Sequence, residues 1–353
     1  MRFTSLGLRA VTVLGSLGFA AGAYGAGITL QQTGAPFNNP IGVAYNPTNT
    51  SLIVTSNYSG GSPNSLMRID QFGNTSPWSS ASGYPGERYL DIPRAVNQPS
   101  GWTSGETFTG NGQVGQIARI SANGATVNSN WVTLPGETGL PAGQLRFDNT
   151  GIFNNDLIVT TTSGNVWQVS STGSPTLLAN LGTSADFEGL AVVPNNPTRY
   201  GPLAGRIIVG HEGSTDLWTV DPIGNVSQFP NILPAQCEGL HVIPANEHFV
   251  GVDYLGGSIL WANQSEFAPF VGDIMVVSEI IGANPGNPSG LNRLLWNGSG
   301  SFGFFTTSPI GLTQNSLLPQ LWEGSTFAPI VVPEPGTAIL LSLAGLLAAR
   351  RWR

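Results

Sequence analysis

The sequence predicts an all-β protein, a β-propeller of six blades, and three observations lead there. Gly73, Gly124, Gly173 and Gly224 each close a similar segment, and they stand 51, 49 and 51 residues apart. The chain carries 47 Gly and 26 Pro but only 9% charged residues, a balance that disfavours helical bundles and favours short strands joined by many turns. Residues 27–330, between two terminal segments of different character, are long enough for one large all-β domain.

The N-terminal segment reads as an export signal. Arg2 and Arg9 form a positive start, Ala10 to Ala21 is apolar, and Ala21-Gly22-Ala23 is a small-residue cleavage site before Tyr24, with a cut after Gly25 as the alternative. Residues 1–23 are therefore assigned as a signal peptide. Just beyond it, Ile28–Gln32 is placed to close the last blade onto the first.

Two segment types then alternate through the body. One is a strand followed by a glycine turn: Leu66–Gly73, Ile117–Gly124, Val166–Gly173 and Leu217–Gly224, with a degraded copy at Ile259–Asn263. The other precedes it: Ile41–Pro47, Glu188–Pro194 and Glu238–Pro244, with weaker copies at Ala142–Leu145 and Ser289–Asn292. Gly143, Gly189, Gly239 and Gly290 step by 46, 50 and 51 residues, and the 101-residue gap from Gly42 to Gly143 leaves room for one cryptic copy near Pro93–Val96. Between the two types lie apolar strand candidates: Leu52–Val54, Leu157–Val159, Ile207–Val209 and Phe249–Gly251.

The periods give six copies of three or four short strands. Radial repetition of such sheets is a propeller, which protects its strand edges; five or seven blades are the alternatives. A two-sheet sandwich would not need this period. The order of segments resembles that of NHL-type and gluconolactonase-like six-bladed propellers, by pattern and across the whole body.

The last residues carry an address. Pro333, Glu334 and Pro335 form a stiff extended step, Ala338 to Ala349 is an apolar run too short for a stable helical span, and Arg350, Arg351 and Arg353 follow it. The arginines are placed to stay on the cytoplasmic side. The three-part pattern of residues 331–353 resembles the PEP-CTERM sorting tail. That resemblance implies a protein of a Gram-negative bacterium, exported through the inner membrane and handed to an exosortase, with a short hydrophobic helix in the tail and cleavage near the motif. It places the protein at the cell surface or in an exopolysaccharide or biofilm matrix, with polysaccharide or surface proteins as partners. An ordinary C-terminal membrane anchor is the alternative.

Composition narrows the function. The formal net charge is −7, and all 13 basic residues are arginine, with no lysine. Such a chain offers no basic field for nucleic acid. Cys237 is the only cysteine, so no disulfide forms within the chain and the fold is held by its core; a buried small residue is the reading for it. The nine tryptophans include Trp167, Trp218 and Trp261 at nearly equivalent repeat positions, which points to packing rather than sugar stacking. Gly110–Gly115 matches the letters of a dinucleotide fingerprint, but with no helix after it we read a turn. Asp148–Gly151 is likewise a turn, and His211, His241 and His248 lack metal-ligand spacing.

One constellation carries chemistry. The first strand of each propeller blade lines the channel, which places Glu188 and Glu238 at the start of two neighbouring blades. Glu212 and Asp253 fall in loops after second strands, with Asn57 at the corresponding place in the first blade. Carboxylates gathered on one rim are unfavourable unless a cation neutralises them or a proton is retained, and oxygen ligands of this kind suit Ca²⁺. The gluconolactonase-like resemblance implies a divalent ion held by Glu, Asn and Asp that polarises a lactone. The sequence thus predicts an exported binding or structural module, with a Ca²⁺-dependent lactonase-like hydrolase as the alternative.

Overall fold

In the computed structural model, which describes residues 27–329 apart from 35, 59–63, 235, 280–286 and 299–304, the strands form six four-stranded antiparallel sheets. The innermost strands are Val43–Asn46, Leu90–Asp91, Leu145–Phe147, Gly189–Val192, Cys237–Val242 and Trp322–Ala328, and each packs on the next to complete a ring. The chain is a six-bladed propeller. Both ends of the sequence, with the Pro333–Pro335 motif, Arg350 and Arg351, lie outside the described residues. Among the described residues no helix is long and apolar enough to cross a membrane.

The glycine of the first repeat type is a turn requirement. Gly73, Gly124, Gly173 and Gly224 have φ of 80°, 76°, 80° and 87°, the left-handed region that glycine enters without penalty. Each closes the hairpin between the third and fourth strands of its blade. In blades one and four an aspartate secures the same turn. Asp70 Oδ1 accepts from the Phe72 and Asn74 amides, and Asp221 Oδ1 from those of Ile223 and Asn225. These side chains do locally what a longer ladder would otherwise do.

Adjacent blades are stitched at the channel wall. Thr55 Oγ1 accepts from the Gly42 amide and donates to the Arg88 carbonyl, both at 2.7 Å, joining blade one to blade two. Thr109 Oγ1 donates to the Tyr89 carbonyl at 2.8 Å within blade two. Thr160 Oγ1 lies 3.1 Å from both the Gln144 and Phe187 carbonyls, joining blade three to blade four. The segment Leu-Ile-Val-Thr occurs at both 52–55 and 157–160, so this stitch is written in the sequence. Blade faces supply the rest of the core. Trp167, Trp218 and Trp261 are all buried there, in agreement with the packing reading.

The last two blades depart from the expected order. After the innermost strand of blade five, the chain crosses to blade six, lays down His248–Asp253 and Ser258–Ala262, and returns to blade five with Ile274–Ser278 and Leu291–Trp296. Phe249–Gly251 is therefore the second strand of blade six, not of the blade that Glu238 begins. Leu291 opens a third strand, not a first. The Pro93–Val96 copy lies just past the true innermost strand, Leu90–Asp91. Blade six is completed from both ends of the body: Gln31–Thr33 pairs with Ser258–Ala262 on its outside, and Trp322–Ala328 is its innermost strand. Closure by the N-terminal strand agrees with the expectation for Ile28–Gln32.

Candidate functional site

One dipeptide stands at the entry to the innermost strands of blades four, five and six: Glu188-Gly189, Glu238-Gly239 and Glu323-Gly324. The glycines let neighbouring strands approach. A Cβ on Gly189 would stand 2.6 Å from Cys237 Sγ, and one on Gly324 would stand 2.6 Å from the Ile41 carbonyl oxygen. With the strands drawn together, the three glutamates meet at one end of the channel, one carboxylate oxygen of each within 4.8 Å of the others. Glu188, Glu238 and Glu323 are 2%, 1% and 7% exposed. Tyr89 Oη, also buried, lies 3.2 Å from Glu238 Oε2 and 3.1 Å from Glu323 Oε2, and its single proton serves one of them at a time. Glu238 Oε1 is buried with no hydrogen-bond partner among the described residues.

Among the described residues no arginine forms an ion pair with this trio; Arg88, beside Tyr89, acts through its charge on Glu87 and Tyr58. The ion pairs among the described residues, Arg94–Glu247, Arg119–Glu106 and Asp273 with Arg199 and Arg293, all lie elsewhere. At an effective dielectric of about 20, two ionised carboxylates 4.8 Å apart repel by roughly 3.5 kcal/mol. Three such pairs approach the whole stability of a typical domain, roughly 5–15 kcal/mol. The group must therefore hold protons or a cation. Burial, followed by the charge of Glu238 and then the influence of Glu87, drives the Glu188 carboxyl well above its usual range. Burial lifts Glu238 to about 8, although the hydrogen bond from Glu188 opposes the rise. Burial, then Glu238, drives Glu323 well up.

A second tier surrounds the first. Burial, then the charges of Glu87 and Asp186, raises Glu212, which shares a hydrogen bond with Glu279. Glu87, Glu212 and Glu279 all act on Glu238 through their charge. Tyr58 stands beside Tyr254 with ring centroids 6.3 Å apart, and burial followed by Glu87 pushes its hydroxyl up to about 12. The mouth is thus acidic, with two tyrosine rings at its edge.

The residues expected from sequence divide. Glu188 and Glu238 form the centre, and Glu212 lies in the outer tier. Asp253 does not join them. Its Oδ1 accepts from the amides of Gly256, Gln320 and Leu321 at 3.2, 3.0 and 3.1 Å, which fixes the chain as it enters the last inner strand. Asn57 sits in a left-handed turn (φ 68°) and hydrogen-bonds to Asn38 and Ser65. Sequence reasoning missed Glu323 and Tyr89. The Glu-Gly dipeptide would have found Glu323, but the crossed hairpin breaks the period before it. Tyr89 lies in the copy without a visible repeat.

An all-oxygen donor set that makes no ion pair among the described residues fits a hard divalent cation such as Ca²⁺. Three glutamates supply three to six of the roughly six to eight oxygens that Ca²⁺ takes, leaving positions for water or ligand hydroxyls.

No protein-family model matches the sequence, and no curated protein matches it. Solved structures do. A putative gluconolactonase superposes with a TM-score of 0.51 at 10% identity, over 86% of this chain and 93% of that one. Virginiamycin B lyase from Staphylococcus aureus gives 0.45 at 13% identity, over 81% and 90%. The WD40 domain of Toxoplasma gondii coronin gives 0.42 at 10% identity, over 82% and 77%. At these identities the likeness is one of fold.

Proposed function

We propose that this protein is an exported surface or matrix module that binds Ca²⁺ at the acidic mouth of its propeller and, through that ion, a hydroxyl-rich ligand such as an exopolysaccharide. The carrying observation is the buried trio of Glu188, Glu238 and Glu323, which makes no ion pair among the described residues. Glu188, Glu238 and Glu323 would hold the ion, and its chemistry would be to draw ligand oxygens into its open positions. Tyr58 and Tyr254, side by side at the edge of the mouth, would offer rings on which sugars could stack. The PEP-CTERM-like tail, with Pro333, Glu334, Pro335, Arg350 and Arg351, supports delivery to the cell surface through exosortase and the secretion machinery. The hydrolase alternative relied on Asp253 and Asn57 beside the metal, and both are engaged in turns, so binding is the reading we prefer.

The test is the melting temperature of residues 27–330, first in EDTA and then with excess Ca²⁺. An ion that binds only the folded chain raises it, and Glu323→Gln is expected to weaken the rise. No rise in the wild-type chain would overturn the proposal. Lactone turnover abolished by EDTA would restore the hydrolase reading.

A further inference from the structure

The channel has a second end, with different chemistry. The innermost strands that begin at the acidic mouth finish around a cavity of about 530 Å³. Its size is that of an ordinary small-molecule site, typically some 300–1,000 Å³. Its walls are largely apolar, with Phe147, Val192, Val242 and Phe327 among them, and Arg146 and His241 stand between these as polar groups.

Arg146 makes no ion pair among the described residues, although Asp91 acts on it through its charge. One of its terminal nitrogens donates to the Ser325 carbonyl at 3.0 Å and lies 3.4 Å from His241 Nε2. Its Nε is buried with no partner, and no carboxylate comes within 4.0 Å of it among the described residues. The carboxylates nearby are otherwise occupied. Asp91 accepts from the Ile92 and Phe147 amides, one on each oxygen, and Glu247 takes both of its contacts from Arg94 at 2.6 and 2.7 Å. Arg94 also donates to the Phe327 carbonyl, so it is spent.

His241 adds a donor. Burial, then the charges of Arg146 and Arg94, holds its pKa well below the usual value, so the ring is neutral. Nε2 faces the Arg146 guanidinium and the Ser325 hydroxyl at 2.8 Å, where it serves as an acceptor. The ring proton therefore resides on Nδ1, which has no hydrogen-bond partner among the described residues. A half-buried guanidinium and a free imidazole N–H, set among apolar walls, call for an anion with an apolar body.

The anion should carry a single charge. Asp91, Glu247, Arg94 and Arg146 line the same cavity, two charges of each sign, so a dianion would find no surplus of positive charge there. From this we infer that the end of the channel opposite the acidic mouth is a binding site for a small organic monocarboxylate, held by Arg146 and His241, with its apolar part against Val192, Val242 and Phe327. The site is independent of Ca²⁺ binding at the other mouth.

Benzoate is the probe. With the full chain at pH 7, the melting temperature is expected to rise with the logarithm of benzoate concentration in the millimolar range. Benzamide, of the same shape without the charge, should give no rise, and neither should inorganic phosphate. Arg146→Gln should abolish the benzoate response. If that variant does not fold, Asn149→Trp, which places a large ring at an exposed position on the cavity wall, should abolish it instead. An equal rise with benzamide, a rise with phosphate alone, or no response to benzoate in the wild-type chain would each overturn the inference.

Discussion

Glu238 offers a test in which a mutation at the proposed site should make the metal-free protein more stable. Its carboxyl titrates near 8 in the folded chain, against about 4.5 when exposed. Between these values the folded state holds a proton that the unfolded state has lost, so stability falls as pH rises through that window and levels off above about 8. At 1.36 kcal/mol per unit, the loss from Glu238 alone is on the order of 5 kcal/mol. For a domain of this size that corresponds to roughly 8 °C in melting temperature. The assay is a melting curve by circular dichroism in EDTA at pH 5 to 9, on residues 27–330 with and without Glu238→Gln. Glutamine keeps the shape and cannot ionise, so the variant should melt higher than wild type at pH 8.5 and almost equally at pH 5. Ca²⁺ should reverse the order, because only the wild-type chain has all three carboxylates for it. A wild-type curve that is flat with pH, or parallel curves for the two chains, would refute the argument that burial and mutual repulsion govern this group.

Three further predictions address other parts of the chain. Glu137 accepts from the amides of Thr138 and Gly139 and from Thr161, Ser163, Asn165 and Trp167; burial pushes its pKa up, but these bonds outweigh it and bring it to about 2. Its stabilisation is present above pH 4.5 and fades as pH falls toward 2. Glu137→Gln should therefore cost about 1–3 kcal/mol in urea melts at pH 7 and almost nothing near pH 2. Gly189→Ala would press a methyl onto Cys237 Sγ, at 2.6 Å, and should cost about 1–3 kcal/mol, recovered in part by pairing it with Cys237→Gly. Intact-mass analysis of the protein exported by its native host should show loss of the tail beyond Pro335, and retention of Arg353 would refute the sorting proposal.

Much of the architecture was legible because its causes are local. A left-handed glycine is needed wherever the third strand of blades one to four turns back, so Gly73, Gly124, Gly173 and Gly224 mark the period directly. Glu188 and Glu238 were legible because adjacent intact copies put them in register. Glu323 was not, since 85 residues separate it from Glu238 and the chain visits two blades in between. Asp253 and Glu323 are both acidic residues near strand ends; only the sheet order shows that backbone amides hold one and the channel receives the other. The pairing of Arg146 with His241 was equally hidden, because residues 95 positions apart meet through ring closure rather than through the repeat.

The crossed hairpin has a kinetic consequence. Blade six is assembled from residues 31–33, 248–262 and 322–328, so it joins the first, middle and last parts of the body in one sheet. Contacts of such sequence separation are slow to form, and the ring stays open until Trp322–Ala328 arrives. Glu323 rides on that strand. Ion capture would then occur only after the final segment docks, and Ca²⁺ added during refolding would accelerate none of the earlier steps while locking the last.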